Sequence, residues 1–404
     1  MNTILALDIG TEYVKAVIAK SKRGHLDVIG VGRAKQAPAN MFSGAIADIP
    51  AVVSVCEKAL FDAEEEAKET AKQAVVGIAG ELIKGSTITV NYTRENPNRP
   101  ITDSEVEIII KKVQQKAGEN ARKAVALETG NQNVEVRLIN SAIVSLTIDG
   151  YKISNPIGFK GSELCIQFYT AFAPMIHVAA IEKVCAELNL ELLAVAVEPF
   201  AVCRACLGDD LDSNFSGIMM DIGGGTTDIA VIDEGGVGGT RMFSIGGRSF
   251  TRQISEGLDI DFDTAEKYKL EYDSLKPDLA AKLDRAITKN TKVWLSGIEV
   301  GLEDFNNIEI LPRNIYLCGG GASLSALQET LAVSDWYKDL PFARRPIVNL
   351  IDINTLPDIS FKSATPLDHT YVTALGLLRV GVDTLLGTNE KEGLKAKLSR
   401  LLEN

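Results

Sequence analysis

The stretch GIMMDIGGGTTDIAVI, residues 217–232, decides the fold of this chain. An apolar run ends in Asp221-Ile222-Gly223, turns through Gly224, Gly225 and Thr226, and restarts as a second apolar run. Working outward, the same pattern stands at the front of the chain. TILALDIG (residues 3–10) leads through Thr11 into YVKAVIAK (residues 13–20). An apolar run that stops at Asp-Ile-Gly and restarts after a short turn reads as a β-hairpin. Two such hairpins about 200 residues apart predict two related α/β halves, each opening with a hairpin. The extra glycines predict that the second turn is the wider of the two.

The remaining elements fall around these hairpins. Residues 26–34 predict a third strand. Ile49–Lys72 predicts a helix whose Glu64, Glu65, Glu66, Lys68 and Glu69 form a solvated face. Residues 85–165 interrupt the first half as a small α+β insertion, with a turn at Asn96–Pro100. Its helix opens at Thr102, where Thr102 and Glu105 fit a reciprocal capping box. Residues 249–313 read as a mostly helical insertion in the second half. The strand Asn314–Leu317 then leads into the cluster Gly319-Gly320-Gly321.

Composition sets outer limits. The chain has 404 residues, 46% hydrophobic and 24% charged, an ordinary globular balance with room for two to four domains. A formal net charge of −12 argues against general binding to nucleic acid. No cleavable leader and no apolar run of membrane-spanning length is visible. Six scattered cysteines point to a reducing, cytoplasmic setting. Cys203 and Cys206 read as small buried residues of a helix. His25, His177 and His369 are isolated and read as ordinary core or surface residues.

The two turns carry the chemistry. Glycine lets backbone N–H groups approach a phosphate, Thr adds a hydroxyl donor, and a strand-end Asp can hold hydrated Mg²⁺. Asp8-Ile9-Gly10-Thr11 alone fits a plain tight hairpin equally well. Three successive glycines at 223–225 are a stronger signal, because they weaken an element that has no close contact to make. ATP with Mg²⁺ between the halves is therefore the expected ligand.

The order of Asp8–Thr11, Glu198-Pro199, Asp221–Asp228 and Gly319–Ala322 resembles the actin, Hsp70 and sugar-kinase superfamily, and within it FtsA, the bacterial division actin. Further support comes from VVGIAGELIKGS (75–86) leading into RPIT (99–102), from DGYKISNPIGFKGSE (149–163), from GGRSFT (246–251) and from AEKYK (265–269). The resemblance covers about residues 4–380. It implies an α/β, actin-like (ribonuclease H-like) duplicated two-lobed fold around a nucleotide cleft. The implied subdomains are 1A at 1–84 and 166–207, an inserted 1C (SHS2-like) unit at 85–165, 2A at 208–248 and 314–388, helical 2B at 249–313, and a tail at 389–404. Carried across by motif, Gly10, Thr11 and Lys15 would face the phosphates from one side, and Gly223, Gly224, Gly225, Thr226 and Thr227 from the other. Asp8 and Asp221 would serve Mg²⁺. Gly247, Glu266 and Lys269 would contact the nucleotide, the last two at ribose and base, with Gly319, Gly320 and Gly321 beneath. Glu198 would orient an attacking water. Two plainer readings stand beside these: Glu198-Pro199 as an ordinary helix start, and Glu266 with Lys269 as a surface pair three residues apart.

In the tail, Leu394, Leu398, Leu401 and Leu402 share a helical face flanked by Lys395, Lys397 and Arg400. That pattern suits a helix lying on an anionic membrane surface, or one packing on its own domain. As implied by the resemblance, the chain polymerises with itself and ties the division protein FtsZ to the inner face of the cell membrane at the division site, with weak ATPase activity at most. The FtsZ tail would bind residues 249–313. There Asn290 and Lys292 depart from the Arg and acidic residue expected of an FtsA, and residues 36–43 are also unusual. A PilM-like pilus adaptor and, less favoured, a sugar-kinase-like phosphotransferase are the competing readings.

Overall fold

The computed structural model describes residues 2–207, 214–305 and 308–389. Two sheets organise it. The first runs, in spatial order, Glu191–Val197, Gln73–Ile78, Asn2–Ile9, Tyr13–Lys22, His25–Lys35 and Ile359–Phe361. The second begins Ile347–Leu350, Asn314–Cys318, Gly217–Ile222, Thr227–Asp233 and Gly236–Phe243. In both, three antiparallel strands joined by hairpins are followed outward by two parallel strands. The duplication expected from the hairpins is therefore present strand for strand, and the fold is the two-halved, actin-like α/β fold.

The two turns are, however, equally wide. Ile9 pairs with Val14 and Ile222 with Thr227, so each loop holds four residues. The closing bond also matches: Gly10 N donates to Tyr13 O at 3.1 Å, and Gly223 N to Thr226 O at 2.9 Å. The extra glycines replace Thr11 and Glu12 and add no length. Sequence comparison sees composition, whereas loop width is set by the last ladder pair.

The inserted segment joins the second sheet. Its strand Lys84–Thr93 pairs with Gly236–Phe243 through Ser86–Gly239 and Gly85–Thr240, and Glu163–Pro174, Val136–Ile148 and Tyr151–Lys152 follow. Glu163–Pro174 runs straight through position 165, so one strand serves both insert and first half. The helix Asp103–Thr129 covers this sheet with Val106, Ile109, Ile110 and Val113 against Leu146, Leu164 and Phe168. Thr102 caps it by accepting from Glu105 N at 3.3 Å. The Glu105 carboxylate does not reach back. It takes Arg94 bidentately at 2.8 and 3.1 Å, a stronger partner than a single backbone N–H, while Arg94 also holds the carbonyls of Arg99 and Gly161.

The helix Ile49–Ala67 ends at Lys68 in a left-handed conformation, short of the expected Lys72. Its charged run is only partly solvated. Glu66 accepts from Val31 N and Thr365 N, both at 2.7 Å, and Glu69 takes Lys20. Glu66 thus answers two backbone donors, whereas Glu69 answers a lysine side chain.

The helices Glu198–Leu207 and Val372–Asn389 pack together, the latter on the first sheet and the former between it and the strands of the second. They touch at Gly376, where an added Cβ would lie 2.0 Å from Ala201 O. Ala is the better helix former by about 1 kcal/mol, yet neither backbone can yield here. Gly376→Ala is accordingly expected to destabilise by about 1–3 kcal/mol, the usual range for overpacking. A urea midpoint at or above that of the parent would contradict this contact.

Candidate functional site

The two hairpin loops meet face to face. A Cβ on Gly225 would lie 3.0 Å from Thr11 Cγ2, and one on Gly224 would lie 2.8 Å from Glu12 Cβ. Only glycine leaves space for the opposite loop at these two positions, which is the physical need behind Gly224 and Gly225; a Cβ on Gly223 would meet only Thr226 of its own loop, at 3.3 Å. The candidates Gly10, Thr11, Gly223, Gly224, Gly225 and Thr226 are thus brought together. Thr227 is fully buried, and its hydroxyl donates to Ile245 O at 2.6 Å and accepts from Trp294 Nε1 at 3.0 Å, so that hydroxyl is already used.

Beneath the loops lies a buried ionic cluster. The ladder sets Asp8 opposite Lys15 and, at the equivalent place in the second half, Asp221 opposite Asp228. Glu198 joins them from its helix start beside Gly77, where an added Cβ would lie 3.1 Å from Glu198 Oε1. All four carboxylates are buried. Lys15 Nζ donates to Asp8 Oδ2 at 3.1 Å and to Thr370 O at 2.6 Å. Burial alone would lower the Lys15 pKa, but Asp8 first and Asp221 next outweigh it, and the group stays firmly charged. Asp221 takes the Thr373 hydroxyl, yet desolvation still raises its pKa. Glu198 and Asp228 are raised well above the usual carboxylate range, by burial first and then by neighbouring carboxylates. One oxygen, Asp228 Oδ1, is buried with no hydrogen-bond partner.

The third glycine cluster closes the base of the site. Gly319 holds φ +81° and an added Cβ would lie 2.0 Å from Asp221 Oδ1, while Gly321 packs on Ile222. Gly320 alone faces open space. Gly319 N donates to His369 O at 3.2 Å. Across the cleft, Gly247 starts the helix Gly247–Leu258 and Lys269 Nζ donates to Gly247 O at 3.1 Å, to Thr251 Oγ1 at 2.8 Å and to Glu266 at 2.7 Å. Glu266 and Lys269 are therefore a nearly buried pair that braces the start of this helix. The tail residues Leu394, Lys395, Lys397, Leu398, Arg400, Leu401 and Leu402 lie outside the described residues.

Sequence reading overlooked the strap at 368–373, which brings Thr370 to Lys15 across 355 residues, Thr373 to Asp221 across 152, and His369 to Gly319. No local motif marks it. Asp228 was legible as part of the glycine motif, but its buried place emerges only from the ladder.

Known proteins resemble this chain in sequence and in fold. A family model described as cell division protein FtsA matches residues 218–376, which hold the second hairpin, the helical insertion and the strap. The chain is similar to FtsA. It is 27% identical to the cell division protein FtsA of Streptococcus pneumoniae over 80% of this chain and 71% of that protein. It is 28% identical to that of Enterococcus faecalis over 80% of this chain and 74% of the relative. Among solved structures, the PilM-PilN type IV pilus biogenesis complex aligns at a TM-score of 0.68 and 19% identity, covering 94% of this chain and 98% of that one. That likeness concerns the fold. Among the described residues of this FtsA relative, no helix is long and apolar enough to cross a membrane.

The cluster also fixes a pH response. Folding raises the Glu198 pKa, so the folded state binds its proton more tightly than the unfolded chain does. The stability this group contributes is whole below its unfolded value, about 4.3, and is lost as pH rises toward the folded value. Glu198→Gln removes that loss. Its melting temperature should exceed the parent's by a margin that grows from pH 4.5 to pH 8 in EDTA. A margin independent of pH would contradict the raised pKa of buried Glu198.

Proposed function

We propose that this FtsA relative binds ATP with Mg²⁺ between its two halves and uses the closed state to polymerise as part of the division apparatus. The observation that carries the reading is the pair of equal four-residue loops facing each other above Asp8 and Asp221. Gly10 N and Gly223 N are spent on the closing bonds, and the backbone N–H groups of Thr11, Glu12, Gly224 and Gly225 between them suit a polyphosphate, because bare turns present converging donors. Lys15 supplies a fixed positive charge beside them.

The residues present fit a hydrated Mg²⁺. Four buried carboxylates against one lysine leave an excess of negative charge that only protons or a cation can offset. Among the described residues no three of His, Cys, Asp or Glu are placed to ligate an ion directly. That suits an ion held through its waters and the phosphates, with Asp8 and Asp221 as outer partners. A bound cation would lower the Glu198 pKa and let its carboxylate orient a water. Gly320, the one open glycine of its cluster, would lie under the ribose and base, with Glu266 and Lys269 across the cleft.

Titration with a fluorescent ATP analogue tests the reading. Binding should need Mg²⁺, and Asp221→Asn should weaken it at least tenfold, about 1.4 kcal/mol. Equal binding in EDTA would refute the metal, and no binding at millimolar ATP would refute the cleft.

We further propose that the tail carries the polymer to anionic membrane and that the helical insertion receives the FtsZ tail. The leucine face and flanking cations at 394–402 support the first. The second rests on the relatedness to FtsA; Asn290, one of the two departures, is turned inward to Ser249 Oγ at 2.8 Å. Flotation with anionic liposomes should carry the full chain, and FtsZ tail peptide with it. Equal flotation after removal of residues 390–404 would refute the anchor, and peptide left in the pellet would refute the partner.

A further inference from the structure

One side chain of the first loop leaves its own half. Glu12 Oε2 accepts from Arg248 Nε at 2.6 Å, an ion pair across the cleft between residues 236 apart in sequence. Both side chains are largely buried, at 20% and 17% exposure. A second cation, Lys35, stands 3.8 Å from the other Glu12 oxygen. The backbone on each side is fixed. Glu12 O accepts from Gln36 N at 2.9 Å, while Gly247 N and Arg248 N donate to Gly223 O and Gly224 O at 2.9 and 2.7 Å. Arg248 is thereby held over the glycine loop, and Glu12 is pressed against Gly224.

This arrangement fills the place that suits an anion. The loops already touch through Thr11, Glu12, Gly224 and Gly225. A polyphosphate lying between them must part these contacts, and it must meet the Glu12 carboxylate, a like charge. Guanidinium pairs with phosphate at least as well as with carboxylate.

On the nucleotide reading above, we infer that Glu12 is the resident anion of the phosphate site. In the nucleotide-free chain it clasps Arg248 and holds the loops together. An incoming phosphate takes Arg248 and releases Glu12. Arg248 is then a phosphate-binding residue, and Glu12 is an internal competitor that links nucleotide entry to parting of the halves.

The test compares the full chain with Glu12→Gln and Arg248→Gln. With Mg²⁺ present, Glu12→Gln should bind ATP about tenfold more tightly and Arg248→Gln about tenfold more weakly, whereas adenosine should bind all three alike. A purely structural ion pair would shift both variants in the same direction. ATP affinity of Glu12→Gln within twofold of the parent would overturn the competitor role. Amide exchange without nucleotide tests the clasp separately: both variants should speed exchange at Gly223, Gly247 and Arg248. Should no chain bind ATP, the nucleotide reading and the competitor role fall together. Exchange then decides the clasp alone, and rates equal to the parent's would remove it.

Discussion

Burying four carboxylates around one lysine is the constraint on which the rest of this molecule depends. Desolvated charge is costly, and here it is offset only in part, by Lys15 and by the Thr373 hydroxyl, while burial raises the pKa of Glu198 and Asp228. The surrounding structure is arranged to hold this unfavourable group in place. Both hairpins end in it, the helix Glu198–Leu207 starts in it, and the strap before Val372–Asn389 closes over it. Such a cluster is the kind of strained, half-compensated site at which binding energy becomes available to a ligand.

The duplication explains how one site draws on both halves. Equivalent ladder positions carry Asp8 with Lys15 on one side and Asp221 with Asp228 on the other. The symmetry of the backbone is thus broken by charge: one half supplies the cation, the other an extra acid. The insertion adds a second tie, since its sheet is continuous with that of the second half through Gly85 and Thr240. An added Cβ on Gly85 would lie 1.9 Å from Thr240 Oγ1, so that junction also depends on a missing side chain.

Relatedness to FtsA and the fold likeness to the PilM-PilN complex bear on different levels. The first is a likeness of sequence. The second concerns architecture alone and is shared by proteins of unlike roles. What separates the roles is surface and partner chemistry, and here Asn290 and Lys292 show how local that chemistry is. The former is spent on Ser249 inside the fold, and the latter is exposed.

The sequence by itself determined the hairpins, the duplication and the glycine loops, because strand periodicity and glycine runs are local signals with a local cause. Asp8 and Asp221 were legible for the same reason: each ends a strand in its own motif. Only the tertiary structure decided that the loops are of equal width, that Glu105 answers Arg94 and not its own helix end, and that Glu66 serves two backbone amides. Only it brought the strap at 368–373, Asp228 and the Glu12–Arg248 pair into the site. These depend on ladder register and on contacts between residues hundreds of positions apart, and a charge carries no mark in sequence of the partner it will meet.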